Sequence, residues 1–173
     1  MDRYPSGTLQ NIIRYSASGH SGFVKNYNLN WVDVSDATSL ACLFRLGEKI
    51  ESLNISDWDV SNVTDMSEMF YGCVNLKKLD ISNWNVSNVT KMRDMFKSCF
   101  KLKNVNLSNW NVSNVTDMIR MFAECYEFEG QSVKNWNVSN LIYASGMFHG
   151  CIKFNADISN WNVSNCTNMR EMF

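Results

Sequence analysis

The chain has 173 residues, a formal net charge of -1 and a pI near 6.1, so it has no global attraction to nucleic acid or to anionic membranes. Hydrophobic residues make up 45% of it, enough for a core in one domain. No apolar run approaches the roughly 18–20 residues of a membrane span, and the first residues lack a secretory signal. We therefore expect no nucleic-acid partner and no membrane span, and an intracellular location is favoured over secretion.

Residues 1–30 do not follow the pattern of the rest of the chain. Leu9, Ile12 and Ile13 form a short apolar cluster, and residues 16–22 have turn-like composition. The first unit of a repeat array exposes a cross-section of its core unless something covers it. We interpret residues 1–30 as an N-terminal cap, a docking arm or both.

From residue 31 onward the sequence repeats. Tryptophan recurs at positions 31, 58, 84, 110, 136 and 161, and phenylalanine at 44, 70, 96, 122, 148 and 173. A fixed period in the range of about 20–50 residues is typical of solenoids, whose units bury their apolar faces against their neighbours. Residues 31–173 are thus predicted to form a solenoid of about five and a half repeats of 25–27 residues. We call these units 1 to 6: residues 31–57, 58–83, 84–109, 110–135, 136–160 and 161–173.

Unit 1 is degenerate but stays in register with unit 2. Its apolar positions align with those of the next unit when shifted by one repeat length, so that Leu40 and Phe44 correspond to Met66 and Phe70. Terminal repeats are commonly atypical. Below, a column means the set of equivalent positions in successive units.

The spacing of apolar residues changes within each unit. Met66, Met69, Phe70 and Cys73 are spaced i, i+3, i+4, i+7, which predicts a short helix of about two to three turns. Thr64 precedes it as an N-cap, and its counterparts are Thr90, Thr116 and Thr167.

After the predicted helix, the apolar period drops to two. Leu79 and Ile81 alternate with polar residues, which predicts a strand, and Trp84 and Val86 predict a second strand-like arm. Equivalent strands of stacked units would form a parallel sheet. The predicted fold class is an α/β repeat solenoid, leucine-rich-repeat-like, with parallel strands stacked on one side and short helices on the other. Strands pack more closely than helices, so we expect it to curve with the strands inside.

Cysteine and asparagine also recur in columns. Cys73, Cys99, Cys125 and Cys151 occupy the same position in successive units, which indicates buried, reduced packing residues rather than disulfides. Two asparagine columns are predicted to stabilise corners and to bond each other in ladders: Asn62, Asn88, Asn114, Asn140 and Asn165, and Asn83, Asn109, Asn135 and Asn160. The tryptophans are interpreted as core or corner residues rather than as a carbohydrate platform.

The units WDVSNVTDMSEMF, WNVSNVTDMIRMF and DISNWNVSNCTNMREMF resemble the BspA-like leucine-rich-repeat surface proteins over residues 31–173. The resemblance implies binding or adhesion to proteins or matrix, with no cofactor and no reaction. It also implies a leucine-rich-repeat type of solenoid. Secreted members carry a signal peptide, which the residues here lack, and this favours an intracellular or virion-borne protein.

Catalytic and metal sites are not predicted. The chain has two histidines, His20 and His149, and neither has a companion column that could supply a base or nucleophile. No CxxC pair and no HExxH motif occurs, so no metal site is expected. We therefore expect no cofactor, no enzyme activity and no small-molecule substrate.

Basic residues concentrate in units 2 and 3, with acidic residues on either side. This basic band comprises Lys77, Lys78, Lys91, Arg93, Lys97, Lys101 and Lys103. It is interpreted either as a solvated face or as a docking surface for an acidic protein or another copy of the chain.

The sequence as a whole predicts a non-catalytic repeat scaffold for protein–protein interaction, in the form of a structural component of a larger assembly such as a virion. The alternative within binding proteins is a cell-surface adhesin for host or matrix protein. A metal-binding protein or an enzyme is the alternative of another class.

Overall fold

The computed structural model describes residues 25–173, in which each unit stacks on the next. Three short strands, β1 (Asn26–Asn28), β2 (Ser52–Asn54) and β3 (Lys78–Asp80), form a parallel sheet in the order β1-β2-β3. Tyr27, Leu53 and Leu79 are aligned across it, each one repeat after the last. The predicted parallel pairing of equivalent positions is confirmed for these units.

Strand β1 falls within the segment interpreted as a cap or docking arm. It pairs with β2 in the same register as β2 pairs with β3, so residues 26–28 continue the repeat pattern backward. The remainder of the predicted cap, residues 1–24, lies outside the described residues.

The predicted strands beyond unit 2 do not form in the described residues. Val105 is buried in the position of Leu79, yet no backbone hydrogen bond joins residues 103–107 to β3. One unit later, Gly130 adopts a φ of +82° and residues 131–135 form turns. The prediction of a second strand-like arm is also wrong for the described residues. The backbone turns after Asn85 instead, because the Asn85 Oδ1 accepts a hydrogen bond from the Ser87 N–H at 3.2 Å.

The predicted short helices are likewise wrong within residues 25–173, where these segments are consecutive turns. In unit 2 the Met69 N–H donates to the Met66 carbonyl at 3.3 Å and the Cys73 N–H to the Phe70 carbonyl at 3.0 Å, both i to i−3. The third residue of each turn, Glu68 and Gly72, has a φ of +56° and +71°, as type II turns require.

Alternate N–H groups of the same segment donate to carbonyls of the next unit rather than within their own. The Phe70 N–H donates to the Met95 carbonyl at 2.9 Å and the Gly72 N–H to the Lys97 carbonyl at 2.9 Å, both in unit 3. A helix would use these donors internally. Hydrogen bonding to the next unit therefore replaces the predicted helix, and the threonines predicted as N-caps bond between units instead: the Thr64 Oγ1 donates to the Thr38 carbonyl at 3.2 Å.

Aromatic columns run through the core as continuous stacks. Successive phenylalanine rings from Phe44 to Phe122 lie 5.4 Å apart, and the tryptophan rings from Trp58 to Trp161 lie 6.3–6.4 Å apart. Each of these tryptophans is buried and donates its indole N–H to a carbonyl of the preceding coil, such as Trp110 to Ile81 at 3.0 Å. Trp31, in the degenerate unit, is 69% exposed. The core role predicted for tryptophan is thus confirmed for five of the six.

The first asparagine column joins neighbouring units, but through a different hydrogen bond from the predicted ladder. Instead of bonding each other, these side chains donate to serine carbonyls of the preceding unit, as in Asn88 Nδ2 to Ser61 at 2.7 Å. The same bond recurs at 2.7–2.9 Å for Asn62, Asn114, Asn140 and Asn165. The second column, Asn83, Asn109, Asn135 and Asn160, is exposed.

None of the six cysteines forms a disulfide, as predicted. Those of the main column are buried, and each Sγ–H donates to a phenylalanine carbonyl of the preceding unit, as in Cys99 to Phe70 at 3.2 Å. Burial raises the pKa of the Cys73 and Cys151 thiols to about 12 and the pKa of Cys99 and Cys125 well above the ordinary range. Because the thiolate is the reactive form, these thiols are inert.

Alkylation should separate the two classes of cysteine. Native protein treated with iodoacetamide near neutral pH should be modified first at Cys42 and Cys166, which are only partly buried, while the four column thiols stay intact. Under denaturing, non-reducing conditions intact mass should rise by six adducts. Rapid native labelling of Cys99 would contradict its buried, protonated state.

Candidate protein-binding surface

The basic band does not form one free cationic surface, because three of its seven members pair with carboxylates of adjoining units. Lys77 lies 3.0 Å from Glu51, Arg93 2.9 Å from Asp117 and Lys103 3.2 Å from Glu129. All three pairs join neighbouring units. The two lysine pairs are exposed and contribute little to stability, whereas Asp117 is only 15% exposed and accepts hydrogen bonds from both Nε and Nη2 of Arg93.

The other four members, Lys78, Lys91, Lys97 and Lys101, have no carboxylate within ion-pair distance among residues 25–173. Lys91 lies in a column between Asp65 and Asp117, whose backbones it bridges. The Lys97 Nζ lies 5.5 Å from the centre of the Tyr71 ring, and the Lys101 Nζ donates to the Asn75 Oδ1 at 2.6 Å. Positive charge without an ion pair thus remains on Lys78 in β3 and on Lys97 and Lys101 in unit 3, although Lys97 lies close enough to Asp94 to oppose the rise in pKa that burial causes in that carboxyl.

Glu51 lies between two lysines of its column. Lys25 approaches it at 2.8 Å and Lys77 at 3.0 Å. Hydrogen bonds from these ammonium groups, Lys25 first, lower the pKa of Glu51 to about 2. Glu51 is therefore ionised throughout the physiological range and ties three consecutive coils of the chain together.

Asp94 is the one buried ionisable carboxylate of the described residues, with 6% of its surface exposed. The Arg120 Nη2 donates to its Oδ2 at 3.2 Å, and the Arg120 Nε lies 3.0 Å from Oδ1 but out of line for a hydrogen bond. Burial raises the pKa of Asp94, and the positive charge of Arg120 opposes that rise. The guanidinium is thus the main compensation for this charge.

Replacing Arg120 by methionine should therefore destabilise the protein more at pH 7 than in acid. A raised pKa in the folded state means that ionising Asp94 costs stability, and this cost vanishes once the carboxyl is protonated in both states. We expect a loss of about 1–3 kcal/mol at pH 7, since Arg120 is itself half-exposed, and a smaller loss near pH 4. Denaturant titrations of both proteins at the two pH values measure it. An equal loss at both would contradict the role of charge.

A second feature, which the sequence reasoning missed, is a line of apolar side chains across four units, partly buried in units 2 and 3 and exposed in units 4 and 5. Val74, Phe100, Tyr126 and Ile152 each follow a column cysteine, and we call them the apolar stripe. Tyr126 is 39% exposed and Ile152 78%, and the rings of Phe100 and Tyr126 stack at 5.0 Å. Reading the residue after each column cysteine would have found the stripe from sequence.

The two histidines, considered for catalysis, do not form a site in the described residues. His149 is exposed on unit 5, and His20 lies outside the described residues. Among residues 25–173, no group of three or more histidine, cysteine, aspartate or glutamate side chains is placed to hold a metal ion. In the same part of the chain, no helix is long and apolar enough to cross a membrane.

Comparison with known proteins adds a family. A search of curated proteins found no match to the chain. A family model described as "Mycoplasma protein of unknown function, DUF285" matches residues 15–129 and, in a second overlapping match, residues 100–173. The matches cover most of the chain and agree with the resemblance to BspA-like repeat proteins at the general level of a repeat family. The chain belongs to the DUF285 family of Mycoplasma proteins of unknown function.

Proposed function

We propose that this protein is a non-catalytic repeat scaffold that binds other proteins as a structural component of a larger assembly, built as a leucine-rich-repeat-like solenoid. The main support is the division of each unit into a constant interior and a variable exterior. The phenylalanine column is buried from unit 1 to unit 5 and the cysteine column from unit 2 to unit 5, with constant residue type, whereas Phe173 in unit 6 is 65% exposed. The partly exposed bridge column instead holds Asp65, Lys91, Asp117, Tyr143 and Asn168.

Variation of exposed chemistry on a constant frame suits recognition of a particular partner. Within the basic band, Lys78, Lys97 and Lys101 are the members best suited to meet an acidic protein. None of them has a carboxylate of residues 25–173 within ion-pair distance, so an acidic partner could supply the opposite charge.

Native mass spectrometry of the protein isolated from its own cells tests the proposal. We expect the chain in a defined complex with at least one other protein, and we expect that complex to weaken as salt rises, because exposed charges are screened within about 8 Å at physiological ionic strength. Recovery of the chain alone, under gentle conditions and at low salt, would contradict the proposal.

A charge-reversal pair then tests the site. The variant Lys78→Glu/Lys97→Glu/Lys101→Glu should lose the partner. A matched variant with three reversals elsewhere, Lys49→Glu/Lys134→Glu/Arg170→Glu, should keep it. Equal retention by both variants would show that these lysines only solvate the surface.

A further inference from the structure

We propose that the apolar stripe (Val74, Phe100, Tyr126 and Ile152) is the docking site for an amphipathic α-helix with acidic flanks, supplied by a protein partner and lying along the stack of units. This inference rests on the proposed protein-binding function and names the surface and the kind of partner. It depends on three observations: exposure, spacing and charge.

The exposure of the stripe is not explained by the fold. The phenylalanine, cysteine and tryptophan columns already supply the core, and Ile152 remains 78% exposed outside it. Tyr126 is likewise held open to solvent, with its ring stacked on Phe100 at 5.0 Å. A run of apolar groups in four consecutive units, followed in sequence by the polar column Asn75, Lys101, Glu127 and Lys153, is typical of an interaction surface.

The spacing selects a helix over an extended strand. Successive units are joined as neighbouring parallel strands in β1 to β3, which places their backbones about 4.8 Å apart, and the rings of Phe100 and Tyr126 in the stripe lie 5.0 Å apart. One helical turn advances about 5.4 Å, so a helix running along the stack presents one apolar side chain to each unit. Side chains on one face of a strand are about 6.6–6.8 Å apart and would lose register within three units.

The charge of the flanks selects acidic residues. Lys101 follows Phe100 directly in sequence and Lys97 precedes it by three residues, and neither has a carboxylate within ion-pair distance in residues 25–173. At the next two units the charges balance locally, since Lys153 pairs with Glu127 at 2.6 Å. A partner helix should therefore carry its glutamates or aspartates beside the turn that contacts Phe100.

Synthetic peptides provide the probe. The first is a helical peptide with leucines at i, i+4, i+7 and i+11 and glutamates beside the second leucine. One control replaces those glutamates by lysines, and another has the same composition with leucines at every second position. Fluorescence anisotropy should show binding of the acidic helical peptide and binding at least about tenfold weaker for both controls. Equal binding of the three peptides, or no binding by any of them, would overturn the proposal.

Protein variants locate the contact. Tyr126→Ser removes a stripe residue, and Trp31→Ser removes an exposed aromatic residue in unit 1, outside the stripe. We expect Tyr126→Ser and Ile152→Ser to weaken peptide binding by about tenfold or more, with Trp31→Ser unchanged. An equal effect of Tyr126→Ser and Trp31→Ser would show that the peptide binds elsewhere. Loss of self-association in Tyr126→Ser with unchanged peptide binding would also contradict the proposal.

These outcomes are separable from the proposed function. A native complex that persists in Tyr126→Ser/Ile152→Ser would leave the scaffold role standing and remove the stripe as its site. Absence of any native protein partner would instead contradict the scaffold role itself.

Discussion

Replacing Phe96 by alanine is expected to lower the free energy of unfolding by about 3–5 kcal/mol, because the side chain is fully buried and its truncation leaves a cavity in the core. Its ring stacks on Phe70 and Phe122, each at 5.4 Å, so the truncation interrupts the column in the middle of the protein. Denaturant titration followed by tryptophan fluorescence measures the loss.

Phe100→Ala is the matched control for that experiment. It removes the same side chain four residues later, from the half-buried stripe rather than from the core. Its cost should be clearly smaller. A loss below about 1 kcal/mol for Phe96→Ala, or an equal loss for both variants, would remove Phe96 from the core.

The second large effect is expected at Gly130. Its φ of +82° disfavours any side chain by about 1 kcal/mol, and an added Cβ would collide with the ring of Phe154. That ring cannot easily retreat, because it packs on Phe148 at 4.3 Å. Overpacking adds about 1–3 kcal/mol, so we expect Gly130→Ala to cost about 2–4 kcal/mol.

Gly150→Ala isolates the backbone part of this cost. Gly150 has a φ of +73°, but the atoms nearest to an added Cβ are 3.7 Å away, an ordinary contact. The expected loss in denaturant titration is about 1 kcal/mol. If both alanine variants were equally destabilised, the contact with Phe154 would be irrelevant.

The period and the buried columns were predictable from sequence because each unit presents the same residue types at the same positions. The helices were not, since the spacing of Met66, Met69, Phe70 and Cys73 fits tandem turns as well as it fits a helix. What decides between them is the destination of alternate N–H groups in the next unit, such as Phe70 to Met95. Local periodicity carries no information about that inter-unit bonding.

The predictions of the extent of the sheet and of a free basic surface were wrong for a related reason. Val105 has the same alternating context as Leu79, yet residues 103–107 form no backbone hydrogen bond with β3, and one unit later Gly130 and turns occupy the place of the strand. The basic band was visible in sequence, but its partial neutralisation was not. That neutralisation comes from ion pairs with adjoining units, Lys77 with Glu51 and Lys103 with Glu129. Charges that are distant along the chain are adjacent in the stack.

The left-handed residues of the tandem turns restrict how such a surface can diversify. They recur in two columns and include Cys42, Glu68, Asp94, Arg120 and Glu171 in one, and Leu46, Ser98 and Glu124 in the other, all with φ between +50° and +62°. Charge, size and polarity all vary there, but no valine, isoleucine or threonine occurs, because branching at Cβ is strongly disfavoured at positive φ. At up to two sites in every unit, new binding specificities must therefore be built from a smaller set of residue types. A combinatorial library based on this fold should omit valine, isoleucine and threonine at those sites.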